Sequence, residues 1–268
     1  MHRNGLLLCL LVMLLNPLAG WAQPVPVAHR GLASAAPENT RAAFQSCLAL
    51  RLGFELDVRR ARSGELVVVH DETVNRTTDG EGRVADLSLS QLQALDAGRW
   101  FHPDFAGERI PTLEQVFDLC KHEKSAPRLI ALDIKSFDRQ LPTDLARLVK
   151  QYSLRDRVVC IGMTISDPAV RKALKAADQQ LPVAVLAQTR DDLNTALDDP
   201  LADWVYVRFV PTSVQVSAAR KAGKSIFAAG SHFAGREVDH WQAAARAGVD
   251  AILTDYPLEL RQATKPAP

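Results

Sequence analysis

Charge of one sign is scarce in this sequence. Its 268 residues carry 32 Lys and Arg against 31 Asp and Glu, a net charge of +1. Without a basic excess there is little to neutralise a phosphate backbone, which excludes a dedicated nucleic-acid-binding chain. Cysteines number four and follow neither Cys-x-x-Cys nor zinc-ligand spacing, so no zinc or dithiol motif is present. Internal repeats are absent, and after the N-terminal run no apolar stretch is long enough to cross a membrane. What is present is ordinary for a globular protein, 47% hydrophobic and 24% charged. That much apolar surface excludes intrinsic disorder.

The N-terminus reads as a leader. His2 and Arg3 precede the apolar run Leu6–Leu15, Asn16-Pro17 breaks it, and Ala19-Gly20-Trp21-Ala22 offers small residues at −3 and −1 of a cut after Ala22. Ten residues of helix span about 15 Å, half of a hydrocarbon core of about 30 Å. Residues 1–22 are therefore expected to be a signal peptide rather than an anchor. Cleavage removes Arg3, balances the charge and leaves a chain without a stable membrane anchor, in the periplasm or the exterior. Cys47, Cys120 and Cys160 each sit among apolar neighbours and are expected to be buried. An oxidising compartment would permit one disulfide among them, with the pairing open.

Beyond the leader, short β-branched runs alternate with helical patterns. Strands are expected at Val25–His29, Phe54–Val58, Leu66–His70, Leu129–Lys135, Val158–Met163, Val183–Gln188, Trp204–Phe209, Ser225–Ala229 and Ala251–Thr254. Helical faces include Phe44, Cys47 and Leu48; Leu113, Val116, Phe117 and Cys120; Leu145, Leu148 and Val149; and Ala218, Ala219 and Ala222. The connection at residues 61–65 is too short for the crossover a parallel pair needs, so the second and third strands form a hairpin. Without the return strand eight remain. The expected fold is an α/β, TIM-type (β/α)8 barrel over residues 23–263, with a β-hairpin arm after strand 2. Residues 79–111 interrupt the alternation as a small insertion subdomain with an apolar cluster of Leu87, Leu89, Leu92, Leu95, Trp100, Phe101 and Phe105, and 264–268 form a flexible tail.

Chemistry-bearing residues collect at strand ends: His29-Arg30, Glu55-Leu56-Asp57, His70-Asp71 and Asp133-Ile134-Lys135. The period of two puts Glu55 and Asp57 on one face, and likewise Asp133 and Lys135. A four-residue hairpin turn would set Asp57 across from about position 70, bringing His70 to the same pocket. Burying Glu55, Asp57 and Asp133 together without a cation would cost several kcal/mol per charge. A bound hard cation resolves this, and all-oxygen ligands suit Ca²⁺ or Mg²⁺. Singly, each group has a bland explanation as a solvated His or an ion pair; the joint pattern is what points to a site.

His29-Arg30-Gly31, Pro37-Glu38-Asn39-Thr40, Glu55-Leu56-Asp57-Val58, Val69-His70-Asp71, Arg76-Thr77-Thr78, Leu95-Asp96-Ala97-Gly98, Ile110-Pro111-Thr112-Leu113-Glu114 and the stretch 248–257 together resemble the glycerophosphodiester phosphodiesterase family. The resemblance implies a TIM-type barrel with an insertion after the His-Asp motif. It implies Ca²⁺- or Mg²⁺-dependent hydrolysis of a small-molecule glycerophosphodiester to an alcohol and glycerol 3-phosphate. By position it makes His29 and His70 the general acid and base, in an order left open. It makes Glu55 and Asp57 metal ligands and Arg30 a phosphate contact, and it gives Lys135 a second phosphate contact. Asp133 falls where the family usually has a Glu ligand. Imidazole suits proton transfer near neutrality. The resemblance implies attack by the substrate's neighbouring glycerol hydroxyl, giving a cyclic phosphate that water then opens, or attack by water directly.

Many family members also carry a Trp in the strand near the C-terminus, where this chain has Phe227, with His232 in the loop beyond. Two other functions fit the same residues: a phosphodiesterase of the phospholipase or sphingomyelinase D type acting on lysolipids, and a non-catalytic extracytoplasmic binder of phosphodiesters. The insertion, by narrowing the barrel mouth, favours the small substrate.

Overall fold

The computed structural model describes residues 23–122 and 128–265. The expected leader, residues 1–22, and the last residues of the tail, 266–268, lie outside them. All nine strands form: β1 (Val25–Ala28), β2 (Gly53–Arg60), β3 (Leu66–Val68), β4 (Ile130–Ile134), β5 (Val158–Ile161), β6 (Ala184–Ala187), β7 (Trp204–Val207), β8 (Ser225–Ala228) and β9 (Ala251–Thr254). Eight run parallel in the order β5-β4-β2-β1-β9-β8-β7-β6. A parallel bridge between Cys160 and Val183 joins the two ends, which makes a nearly closed barrel. β3 pairs antiparallel with β2 as the hairpin arm.

Helices cover the outside: α1 (Arg41–Ala49), α2 (Leu89–Ala94), α3 (Leu113–His122), α4 (Leu141–Gln151), α5 (Pro168–Ala177), α6 (Asp192–Leu197), α7 (Ser213–Lys221), α8 (Ser231–Ala234), α9 (Val238–Ala247) and α10 (Pro257–Ala263). Among the described residues none is long and apolar enough to cross a membrane. In β2 the alternation is direct. Phe54, Leu56 and Val58 belong to the apolar core, with the Phe54 ring 4.9 Å from Phe44 of α1. Glu55 and Asp57 are thereby turned to the inside of the barrel.

Some expectations shift in detail. On α7 the buried positions are Val216 and Ala219, and Ala222 is exposed. His232 lies on the short α8, exposed, with its ring 5.2 Å from that of His240. The insertion shares an apolar cluster with the hairpin arm: Val84, Leu92, Ala97 and Ile110 pack with Val67, Val69 and Val74, and Leu87, Leu89 and Leu95 lie partly buried against them. Phe101 and Phe105 stack edge-to-face on each other outside that cluster, and Trp100 is exposed. Cys47, Cys120 and Cys160 are buried and all free, and burial pushes each thiol up to about 12. They are inert core residues, and the disulfide that an oxidising compartment would permit is not formed.

Candidate active site

Parallel register sets the site. Asp57 of β2 pairs with Asp133 of β4, so two inward carboxylates stand side by side, with Glu55 two residues below. One oxygen from each of Glu55, Asp57 and Asp133 lies within 4.8 Å of the others, and among the described residues no other group of this kind occurs. Two ligands at about 2.4 Å on opposite sides of a cation are about 4.8 Å apart, so the spacing suits a hard ion with oxygen ligands.

Glu55 is 1% exposed. Burial, then the neighbouring charges of Asp57 and Asp133, push its carboxyl well above the usual range. Burial would raise Asp57 too, but the Lys135 ammonium and the Asn39 amide outweigh it and hold that carboxyl low. Lys135 Nζ lies 2.7 Å from Asp133 Oδ2 and 3.0 Å from Asp57 Oδ1. Glu55 Oε1 and Asp133 Oδ1 are buried without a hydrogen-bond partner. Buried unpartnered carboxylate oxygens are costly, and a divalent cation satisfies both. These residues therefore fit the cation.

Arg30 caps the cluster from the turn that follows β1. Its backbone is left-handed, φ 56°, a conformation that costs a side-chain-bearing residue about 1–3 kcal/mol. Local bonds hold it there: Arg30 N donates to Glu55 Oε2 (2.8 Å), Gly31 N to Glu55 O (3.2 Å) and Asn39 N to Arg30 O (2.9 Å). Gly31 follows because a Cβ there would meet Ala43 Cβ at 2.7 Å. The Arg30 guanidinium donates to Glu38 (2.9 Å), and its Nε is 3.7 Å from Asp57. Both expected phosphate cations, Arg30 and Lys135, are thus held against carboxylates.

Each histidine leans on an acid. His29 Nδ1 lies 2.7 Å from Asp255 Oδ1, and His70 Nδ1 lies 2.7 Å from Asp71 Oδ1. The two acids differ. Arg76 donates to both oxygens of Asp71 and to both of Glu38. Its guanidinium and the His70 ring hold the Asp71 carboxyl far below the usual range. Asp255 is half-exposed, at 49%, with His29 as its partner. The hairpin register is one residue off the expected one: Val58 faces Val68 and Val69 N donates to Asp57 O, so Asp57 stands opposite Val69. His70 lies just past the ladder, its carbonyl accepting two bonds from Arg59. It still reaches the cluster electrostatically, lowering Asp57.

Strand-end position had already singled out Asp71 beside His70, whereas Glu38, Asn39, Arg76 and Asp255 escaped it. All lie inside motifs of the resemblance, which was the available signal. Asn39 is the most intimate, donating to Asp57 Oδ2 at 2.6 Å.

The sequence model of the Glycerophosphoryl diester phosphodiesterase family matches residues 29–259. The chain belongs to this family. Glycerophosphodiester phosphodiesterases are phosphoric diester hydrolases, and relatives under that name are similar to this chain. One from Caldanaerobacter subterraneus is 45% identical over 137 residues, 50% of this chain and 55% of that protein. The Bacillus subtilis protein YhdW is 33% identical over 242 residues, 86% of this chain and 94% of its own. The crystal structure of a glycerophosphodiester phosphodiesterase from Agrobacterium tumefaciens superposes with a TM-score of 0.73 at 27% identity, covering 88% of this chain and 98% of that one. A phosphodiesterase from Oleispira antarctica, solved with sn-glycerol-3-phosphate, shares the fold at a TM-score of 0.74 and 24% identity, covering 90% and 96%.

Proposed function

We propose that this chain hydrolyses glycerophosphodiesters to an alcohol and glycerol 3-phosphate, outside the cytoplasm. The observation that carries the proposal is the buried trio Glu55, Asp57 and Asp133 with two unpartnered oxygens, paired with the cations Arg30 and Lys135, together with two acid-bonded imidazoles at the ends of β1 and of the hairpin arm. The product held by the Oleispira antarctica phosphodiesterase supports the substrate class.

Glu55, Asp57 and Asp133 would hold Ca²⁺ or Mg²⁺, which when bound supplies positive charge to the phosphoryl oxygens. Arg30 and Lys135 orient the phosphate from either side and neutralise the charge that grows on it. The Nδ1 bonds to Asp255 and Asp71 leave Nε2 of His29 and His70 for proton transfer. One ring takes the proton of the attacking hydroxyl, from the glycerol carbon next to the ester or from water. The other protonates the departing alkoxide; where the glycerol hydroxyl attacks, water then adds to the cyclic phosphate and opens it to glycerol 3-phosphate.

Release of glycerol 3-phosphate from glycerophosphocholine tests this. His29→Ala and His70→Ala are each expected to reduce kcat by about 10²–10⁴-fold with the fold intact; full turnover by either overturns the assignment. Location is tested by the mass of the exported protein, which should begin at Gln23; a chain retaining residues 1–22 contradicts it.

A further inference from the structure

Across the barrel from the carboxylates stands a cation that the proposed chemistry does not use. Tyr206 and Arg208 are two residues apart on β7 and its extension, where Arg208 N still donates to Ala187 O of β6. The period of two gives them the same inward face. The Tyr206 ring is buried, stacked on Phe227 at 5.5 Å, and its oxygen lies within electrostatic reach of Asp133 and Glu55. Arg208 Nη1 donates to that oxygen at 3.0 Å. The guanidinium lies over the end of β8, where a Cβ on Gly230 would come within 2.9 Å of Nε. Arg208 is thus one side chain removed from the acidic cluster, on the opposite wall.

It is half-buried. The other cations of the site are spoken for: Arg30 by Glu38, Arg76 by Glu38 and Asp71, Lys135 by Asp57 and Asp133. Among the described residues no carboxylate pairs with Arg208. Its one polar partner is a neutral phenol, which leaves most of its donor fork open. A half-buried guanidinium on the inward face of a barrel strand is a site for an anionic oxygen, bound by charge-assisted hydrogen bonds.

We propose that Arg208 is a specificity-determining residue that binds a second anionic group, a carboxylate or phosphate on the alcohol portion of the diester. This rests on the proposed hydrolysis and refines its substrate class. The reacting phosphate sits at the acidic cluster, and the alcohol reaches across the mouth to Arg208. Alcohols that are only cationic meet a like charge there and are disfavoured.

Two diesters that differ by one carboxylate provide the test: glycerophosphoserine and glycerophosphoethanolamine. Both carry the ammonium, so its effect cancels in their ratio. The wild-type protein is expected to favour the serine diester by about tenfold or more in kcat/KM, as one good ionic hydrogen bond allows. R208A should bring the ratio close to one, chiefly through KM of the serine diester, and R208K should restore part of it. A wild-type ratio of one, or an equal loss for both diesters in R208A, overturns the inference while hydrolysis stands. Hydrolysis of neither diester by the wild-type protein overturns the proposed function beneath it.

Discussion

Gly162 is packed directly against the carboxylate of Asp133: a Cβ built on it would lie 2.2 Å from Oδ1 and 3.1 Å from Cγ. Its φ of +113° belongs to glycine. Ile161 is the register partner of Asp133, so the chain turns away from β5 just where the carboxylate needs room. Thr164 Oγ1 then donates to Ile134 O at 2.5 Å and ties the turn to β4.

G162A is therefore expected to act on the cation without touching a ligand. Calorimetric titration should show affinity for Ca²⁺ or Mg²⁺ lowered by about tenfold or more. The forbidden backbone and the contact should cost about 1–3 kcal/mol in thermal unfolding. Unchanged cation affinity in a folded G162A protein would show that Gly162 does not position Asp133.

The two histidine supports should respond differently. D255N leaves a half-exposed surface group and one hydrogen bond altered, so kcat should fall by about 10–100-fold with Tm and KM little changed. D71N also removes the charge that Arg76 holds between Asp71 and Glu38, so it should lower Tm as well as kcat. Kinetics and thermal melts on both variants check this. Equal loss of Tm in the two would contradict the asymmetry.

Glu55 sets a pH dependence. Burial and the charges of Asp57 and Asp133 raise its folded carboxyl well above 4.5, so without cation the folded chain holds a proton that the unfolded chain has released. Stability of the cation-free protein then falls as pH rises from the ordinary Glu range through the raised folded value. A cation held by the proposed trio would take the place of that proton, so its stabilising effect should grow over the same window. Melts in chelator and in Ca²⁺ between about pH 5 and 8 should diverge with rising pH. E55Q should raise Tm in chelator, by about 2–4 °C for each kcal/mol relieved, and remove the response to Ca²⁺. A gap that stays constant with pH would contradict this.

Most of the barrel was legible from periodicity. Nine β-branched runs became nine strands, and the short connection at residues 61–65 marked the hairpin because it could hold no helix. The carboxylate trio was legible for the same reason, since Glu55 and Asp57 share a face by alternation and Asp133 joins them by parallel register. What escaped depends on long-range approach. His29 meets Asp255 across 226 residues, and Glu38 meets Arg76 across 38; local pattern carries no information on either. The hairpin slipped one position because turn geometry, not composition, sets register. Phe101 and Phe105 look like core by composition, yet they pack on each other outside the cluster that Val67, Val69, Val74 and Leu92 build.

The proposed hydrolysis requires three acids from β2 and β4 to hold a divalent cation on which cleavage depends. The most direct measurement is glycerol 3-phosphate release from glycerophosphocholine by the purified protein, before chelation, after exhaustive chelation, and after adding back Ca²⁺ or Mg²⁺. Release should vanish on chelation and return with one of the two ions. Undiminished release from the fully chelated protein would contradict the account.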